Sequence, residues 1–199
     1  MAKKQFKAES KRLLDLMINS IYTHKEIFLR EIISNASDAI DKLCYLSLTD
    51  DKVPYSKDDY QIKIFVDPEA RTITVRDNGI GMNAEDMEKN LGVIAQSGSL
   101  KFKSDKEDLA ENDTNIIGQF GVGFYSAFMV ADKVTVRSLK YGETEGSQWE
   151  SAGTDGYNVK PCPEKTEVGT EVIMHIKPDA DGEKYSEFMD KFVIRDLVQ

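Results

Sequence analysis

Two periodicities of apolar and polar positions predict where the helices and strands of this chain lie. Apolar residues recur on one helical face over residues 10–22 and over a longer stretch, about 25–45. Residues 61–67 and 71–77 instead alternate apolar and polar side chains around a turn, which predicts a β-hairpin. Further helices are expected over 83–95, over the apolar stretch 122–130 and from about 185 onward, and further strands near 133–139, 147–152 and 169–176.

This order of elements predicts an α/β sandwich of two layers, with a mostly antiparallel sheet and helices on one face. The regular strand–helix alternation of a Rossmann fold is absent. The length of 199 residues fits a single domain, 1–199. Residues 96–117 are rich in Gly, Ser, Lys, Asp and Glu and show little periodicity, which is typical of a functional lid or of a disordered segment.

Composition narrows the class of partner. The chain has 26 Lys and Arg against 35 Asp and Glu, a net charge of −9, which argues against nucleic acid or a membrane surface as a partner. A small anion such as a nucleotide is still allowed, because local backbone donors can hold it. Two cysteines without a CxxC pattern fit a reducing compartment, and no signal peptide or membrane span is evident, so we expect a cytoplasmic protein.

The helix predicted over 25–45 carries a narrow polar stripe beside its apolar face. Glu31, Asn35, Asp38 and Lys42 follow one another at spacings of four, three and four, so they stack along one line of the helix. The stripe is either a solvated surface with an Asp38–Lys42 pair or the polar floor of a pocket. In a pocket, a carboxylate could act as a general base and an Asn could offer its oxygen to Mg²⁺.

A carboxylate ends the second strand of the hairpin. Ile73, Val75 and Asp77 point to the same face, so Asp77 is predicted to face inward, where it needs hydrogen-bond donors. Gly79 and Gly81 follow and allow a tight turn or the close approach of another group. The alternative is a turn in which the Asp is satisfied by its own backbone.

A glycine-rich turn precedes the apolar helix predicted over 122–130. Gly118, Gly121 and Gly123 form a GxxGxG pattern, which lets backbone N–H groups converge on an anion at the start of a helix. It is neither the Rossmann pattern nor a Walker A motif, and alone it is a weak signal for phosphate.

Taken in order, four segments resemble the nucleotide-binding boxes of one ATPase superfamily. They are FLREIISNASDAIDK, DNGIGM, GQFGVGFYS and VGTEV, at residues 28–42, 77–82, 118–126 and 168–172. Gyrase, the mismatch-repair protein MutL, histidine kinases and the ninety-kilodalton heat-shock chaperones share this superfamily. The wording of the first and third boxes, and NLGVIAQSGS at 90–99, is similar to the chaperones, and the opening segment is similar to their bacterial type.

The resemblance implies a role for each matching position. Asp77 would accept a hydrogen bond from the adenine amino group, with Gly81 and Thr170 in a water-linked contact. Glu31 would activate the attacking water, and Asn35 would bind Mg²⁺ and phosphate oxygens. The remaining nucleotide contacts implied are Asp38, Ala39, Met82, Asn90, Gly118, Gly121, Val122, Gly123 and Phe124, with residues 96–117 as the ATP lid.

The function implied is ATP binding and slow, Mg²⁺-dependent hydrolysis that drives the conformational cycle of a stress-response chaperone for protein folding. The middle and C-terminal domains, which would hold the client and dimer contacts and a phosphate-sensing Arg, are absent, so this piece is expected to be monomeric and to hydrolyse ATP weakly. Gln96 stands where many members of the resembled family have an ATP-contacting Lys, so a weaker hold on the phosphates or a changed lid closure is expected. The alternatives are a kinase-type ATP module, which usually lacks the glutamate at position 31, and a nucleotide-gated interaction domain without turnover.

Overall fold

A computed structural model of the chain describes Lys4 and residues 25–92, 123–180 and 182–198. The predicted helix over 10–22 and the predicted lid over 96–117 lie outside these residues. The α-helices are α1 (Ile27–Leu46), α2 (Ala84–Leu91) and α3 (Lys191–Val198), and the 3-10 helices are Lys57–Asp59, Gly123–Met129 and Tyr185–Met189. The strands are β1 (Ile62–Asp67), β2 (Thr72–Asp77), β3 (Ala131–Leu139), β4 (Ser147–Ser151), β5 (Tyr157–Pro161) and β6 (Gly169–Ile176).

The six strands form one antiparallel sheet in the order β1-β2-β6-β3-β4-β5. Residues paired across neighbouring strands build continuous rows, such as Val75, Val172, Val136 and Trp149. Helix α1 packs on β2 and on the 3-10 helix Gly123–Met129, while α2 packs on β4 and β5. The predicted two-layer α/β sandwich is therefore confirmed.

Helix α1 buries the apolar face that its periodicity predicted. Phe28, Leu29, Ile32 and Leu43 are at most 1% exposed, whereas Arg30 and Asp41 on the opposite arc are exposed. Because a full stripe of large apolar side chains leaves water, this contact supplies much of the free energy that holds the helix on the sheet. The helix is thus fixed in rotation, and its polar stripe is fixed with it.

Four elements differ from their predictions. The helix expected from about 185 onward is divided into the 3-10 helix Tyr185–Met189 and α3. The apolar segment expected as a helix over 122–130 is a seven-residue 3-10 helix, buried throughout, as is common for short connectors between larger elements. Helix α2 begins after Asn83, whose side chain accepts from the backbone N–H of Asp86 at 2.9 Å, and ends at Leu91, while residues 93–95 of the predicted helix lie outside the described residues. Strand β5 was not predicted, because its five residues alternate weakly and gain their place by pairing with β4.

Aromatic packing anchors the inner face of the sheet. Trp149 is fully buried, stacks on Tyr157 at 5.9 Å between ring centroids and meets Phe124 edge-on at 5.4 Å.

Within the part of the chain that the structure describes, no helix combines the length and the apolar composition needed to cross a bilayer.

The turn after β2 touches α1 directly, which makes Gly79 sensitive to any side chain. A Cβ on Gly79 would lie 2.6 Å from the Ile40 nitrogen and 2.7 Å from the Ala39 oxygen, both backbone atoms of the helix. The turn is also bonded to α1, because the Ile80 N–H donates to the Ala39 carbonyl at 3.0 Å. The turn and the helix therefore cannot separate without losing packing and a hydrogen bond.

We expect Gly79→Ala to lower the free energy of unfolding by at least about 2 kcal/mol, since the helix backbone must shift to admit the methyl group. The measurement is urea unfolding of both proteins. Gly142→Ala is the control: nothing lies within 4 Å of its added Cβ, so only its φ of +86° costs stability, by about 1 kcal/mol. Equal losses for the two variants would contradict the close contact.

Candidate active site

A cavity of about 600 Å³ lies between α1, α2 and the ends of β2, β6 and β3. Every predicted site residue that falls within the described chain lines it: Glu31, Asn35, Asp38, Ala39, Asp77, Gly81, Met82, Asn90, Gly123, Phe124 and Thr170. The other predicted site residues, Gly118, Gly121 and Val122, lie outside the described residues, as does Gln96. Residues far apart in sequence are thus brought to one concave surface, where a ligand can touch them together.

The polar end of the cavity is built by one row across three strands. Asp77 on β2 pairs with Thr170 on β6, and Thr170 pairs with Ser138 on β3. All three side chains are at most 6% exposed, and the row directly follows the apolar row that contains Val75. On this face of the sheet, the row at the edge of the cavity is therefore polar, while the row next to it is apolar.

The hydroxyls of this row have a defined direction. Ser138 Oγ donates to the Gly169 carbonyl at 3.0 Å and accepts from the Met82 N–H at 2.7 Å. Because a hydroxyl has a single proton, the Thr170 hydroxyl must donate across the 2.8 Å contact to Ser138 Oγ. Thr170 Oγ1 and the Asp77 carboxylate then both offer lone pairs to the cavity, which suits a ligand that brings N–H donors.

Burial makes the Asp77 carboxylate costly to ionise. The side chain is 6% exposed, and desolvation raises the pKa of Asp77 to about 6, against the backbone N–H groups of Gly79 and Thr170, which lower it. At neutral pH the group is still mostly charged. It is therefore a strong, under-solvated acceptor that a bound donor would stabilise.

The turn after Asp77 serves two purposes. Gly79 N–H donates to Asp77 Oδ1 at 2.9 Å, so the self-satisfied turn considered from the sequence does form. It occupies only part of the carboxylate's capacity, and Asp77 also lines the cavity. Gly81 has φ +70°, and a Cβ there would overlap the Leu139 carbonyl and lie 3.0 Å from Lys140 Cα, so glycine lets the turn lie flat on the end of β3.

The opposite end of the cavity is lined by the first two residues of the polar stripe, Glu31 and Asn35. Glu31 is 16% exposed, with Arg30 at 3.8 Å from its carboxylate, and Asn35 is exposed one turn later. A Cβ on Gly123 would overlap the Glu31 carboxylate, so the glycine allows the start of the 3-10 helix to touch this acid. This end of the cavity thus presents a carboxylate next to the Gly123 backbone and, one helical turn later, an amide oxygen.

Several lining residues were not foreseen from the sequence. Ser138 is a lone serine in a strand, and nothing in its neighbours marks it until β3 pairs with β6. Lys140 and Asp86 also line the cavity and form an ion pair at 2.7 Å across its rim. Their sequence signals were those of ordinary surface charges.

The donor set fits a divalent cation only in part. Among residues 25–92, 123–180 and 182–198, and Lys4, no three or more His, Cys, Asp or Glu side chains form a metal-binding group. Mg²⁺ is commonly held by one or two protein oxygens, with phosphates and water as its other ligands. Asn35, on the cavity wall beside Glu31, is placed to be such a ligand.

A family model described as "Histidine kinase-, DNA gyrase B-, and HSP90-like ATPase" matches residues 22–182. The chain belongs to this ATPase family. Membership accounts for the antiparallel sheet with helices on one face.

Three relatives of this ATPase domain match its whole length. The chaperone protein HtpG of Clostridium acetobutylicum is 59% identical over 199 residues, that of Bacillus subtilis strain 168 is 57% identical, and that of Clostridium botulinum strain Langeland is 56% identical. In each comparison the alignment covers 100% of this chain and 31% of the relative. The chain spans less than a third of the length of the curated relatives it matches.

The raised pKa of Asp77 predicts how stability varies with pH. The carboxyl titrates near 3.8 without the fold and near 6 within it, so the folded state binds more protons between these values. The free energy of unfolding therefore falls as pH rises from about 4 to about 6 and stays lower above that. At one pKa unit per 1.36 kcal/mol, the loss is at most about 3 kcal/mol.

We expect Asp77→Asn to stabilise the ligand-free chain at pH 7.5 by roughly 1–3 kcal/mol and to gain much less at pH 4.5. Urea unfolding at the two pH values measures the difference, with exposed Asp58→Asn as the control that should show none. A gain of the same size at both pH values would refute the buried ionised carboxylate.

Proposed function

We propose that this chain is the ATP-binding and ATP-hydrolysing module of a molecular chaperone of the HSP90 type. The observation that carries the proposal is the convergence of eleven motif residues on one cavity, in a chain at least 56% identical to HtpG chaperones along its entire length. For each of these residues we propose the role that the family resemblance implies.

The base would lie at the end formed by Asp77 and Thr170. Two adjacent acceptors complement an exocyclic amino group, such as that of adenine, and the buried carboxylate makes one bond charge-assisted. Apolar side chains supply the flat surface that an aromatic base requires; Met82, Val136 and Val172 line this part of the cavity. The segment of α1 around Ala39, whose carbonyl accepts a hydrogen bond from the Ile80 N–H of the turn, would cover the base.

The phosphates would lie toward Glu31 and Asn35. Eight residues separate Glu31 from Ala39, and at 1.5 Å per residue the two ends of the site are about 12 Å apart along α1. By this proposal, the base and the terminal phosphate would lie about two helical turns apart along α1. Glu31 would accept a proton from the water that attacks the terminal phosphate, with its position fixed by α1 and by contact with Gly123.

Mg²⁺ would neutralise charge on the phosphates, with Asn35 Oδ1 as its protein ligand. Phe124 is held edge-on against buried Trp149 and would keep the wall beside the phosphates rigid. We propose that the predicted glycine turn at Gly118 and Gly121 and the lid over 96–117 complete the site.

Chaperone function would depend on regions present in the longer relatives, including the surfaces for clients and for a dimer partner. By this proposal, nucleotide turnover drives a conformational cycle, and the 199-residue piece alone is monomeric and turns over weakly. A cytoplasmic location is consistent with the two cysteines, Cys44 and Cys162, which are both free.

The direct test of the base site is calorimetric titration of the chain with ADP and ATP in Mg²⁺, and with GDP for comparison. We expect Asp77→Asn to weaken ADP binding by at least about tenfold, because a charge-assisted hydrogen bond is worth roughly 1.5–3 kcal/mol. Asp58→Asn, an exposed carboxylate outside the cavity, should bind like the parent. Equal affinity of parent and Asp77→Asn, or tighter binding of GDP than of ADP, would sink the adenine assignment.

Hydrolysis is tested in the full-length protein that carries this chain. Glu31→Ala should reduce ATP turnover by about 10²–10⁴-fold, while ADP affinity stays within about threefold, because a general base acts mainly on the chemical step. Asp41→Ala, on the solvent face of the same helix, should leave both unchanged. Unchanged turnover in Glu31→Ala would remove the general-base role and favour a nucleotide-gated domain, and transfer of phosphate to a histidine would favour a kinase.

A further inference from the structure

A buried lysine lies behind the proposed base site. Lys165 precedes β6, its side chain is 5% exposed, and its ammonium donates to the Glu167 carbonyl at 2.7 Å. Together with Asp77 it lines a second cavity, of about 740 Å³, on the far side of the β2 end. The Asp77 carboxylate thus has the proposed nucleotide on one side and a desolvated positive charge on the other.

The positive charge of Lys165 is only partly neutralised by its neighbours. Its Nζ lies 3.9 Å from Glu171 Oε1, but the same oxygen lies 2.9 Å from Arg76 Nε, so Glu171 is shared and is closer to Arg76. The Arg76 contact has the distance of an ion pair, although the Nε proton is not aligned for a hydrogen bond. Two cations and one anion leave a net positive charge beside the end of β2.

The other charged groups that line the two cavities with Asp77 are all more exposed than Lys165. On the nucleotide side, α1 contributes Glu31, Asp38 and Lys42, while Asp86 and Lys140 neutralise each other in their ion pair. Lys42 is exposed, so solvent screens it.

On the far side, Asp59 is engaged by the N–H and hydroxyl of Ser56, and Glu167 and Lys63 are exposed. Of the lysines that line the two cavities within the described residues, Lys165 alone is buried.

We infer that Lys165 is a positioning residue for nucleotide recognition: its buried charge adds to the backbone donors of Gly79 and Thr170 in holding the Asp77 carboxylate ionised at neutral pH, and Glu171 sets how much of that charge Asp77 receives. This inference rests on the proposed function and extends it, because it assigns the pH range of nucleotide binding to a pair of residues that do not touch the nucleotide. Burial raises the pKa of Asp77, the backbone N–H groups of Gly79 and Thr170 lower it, and the charge of Lys165 lowers it further.

The experiment measures ADP affinity of the 199-residue chain from pH 5 to pH 8.5. In the parent, affinity should fall as pH drops through about 6, where Asp77 takes up a proton. In Lys165→Met this falling limb should move to higher pH by about half a unit or more, and in Glu171→Gln it should move to lower pH. Opposite shifts cannot arise from general loosening of the fold, and protonation of the ADP phosphate is common to all variants.

Lys63→Met is the matched control, because it removes the same charge from an exposed lysine of the same cavity, and its limb should coincide with that of the parent. Lys165→Arg, which keeps the charge, should restore the parent profile. A limb in folded Lys165→Met that coincides with the parent, or shifts of the same sign in Lys165→Met and Glu171→Gln, would overturn the inference.

A second readout separates this inference from the proposed function. The ¹³Cγ chemical shift of Asp77, followed against pH in the ligand-free chain, reports the titration of its carboxyl group directly. We expect the midpoint of this titration to move to higher pH in Lys165→Met and to lower pH in Glu171→Gln. If the parent bound no ADP at any pH, the proposed function would fail, while the ¹³Cγ titrations of the variants would still decide whether Lys165 governs Asp77. If Lys165→Met did not fold, Glu171→Gln would carry the test, and an unmoved titration in it would count against the inference.

Discussion

The burial of one carboxylate, Asp77, is the constraint on which the site depends. Placing an ionised group where water cannot reach it is unfavourable, and the surrounding structure offsets this cost with backbone donors from Gly79 and Thr170. The Thr170 donor is in place only because β2 pairs with β6 in a register that sets Asp77 opposite Thr170, whereas the Gly79 donor belongs to the turn that follows Asp77. A shift of that register by one residue would turn the acid to the other face of the sheet and dissolve the site.

The same arrangement links stability to recognition. An acceptor that is fully satisfied by the protein has little to gain from a ligand, whereas Asp77 keeps lone pairs directed to the cavity and an elevated pKa. The buried charge lowers the free energy of unfolding of the ligand-free protein, and a ligand with a matching donor restores part of this free energy on binding. By our inference, Lys165 would then influence affinity through the charge of Asp77.

Helix α1 connects the two ends of the cavity as a rigid element. Its apolar face fixes its rotation, the contact of Ala39 with the Gly79 turn holds its middle beside the Asp77 end of the cavity, and Glu31 meets Gly123 near its first turn. Motion of α1 along its axis would disturb both ends together. A nucleotide that spans the cavity would therefore sense, and be sensed by, the packing of this helix on the sheet.

The sequence by itself determined local geometry and several faces. Spacing along the chain predicted α1, its polar stripe, the β1–β2 hairpin and the inward direction of Asp77, because helical and strand periodicities depend only on neighbouring residues. The family resemblance supplied roles that spacing alone could not, such as those of Asn90 and Thr170. The two interpretations left open at Asp77 both apply, since the carboxylate accepts from its own turn and also lines the cavity.

Tertiary structure decided which residues meet. Strand order brings β6 beside β2 and β3 beside β6, so Thr170 meets Asp77, and Ser138 meets Thr170, only after distant parts of the chain have paired. The 3-10 form of Gly123–Met129, the weakly patterned β5 and the burial of Lys165 likewise follow from packing that sums many long-range contacts. Such contacts leave no periodic signal in the sequence, because the free energy that selects them depends on partners far along the chain.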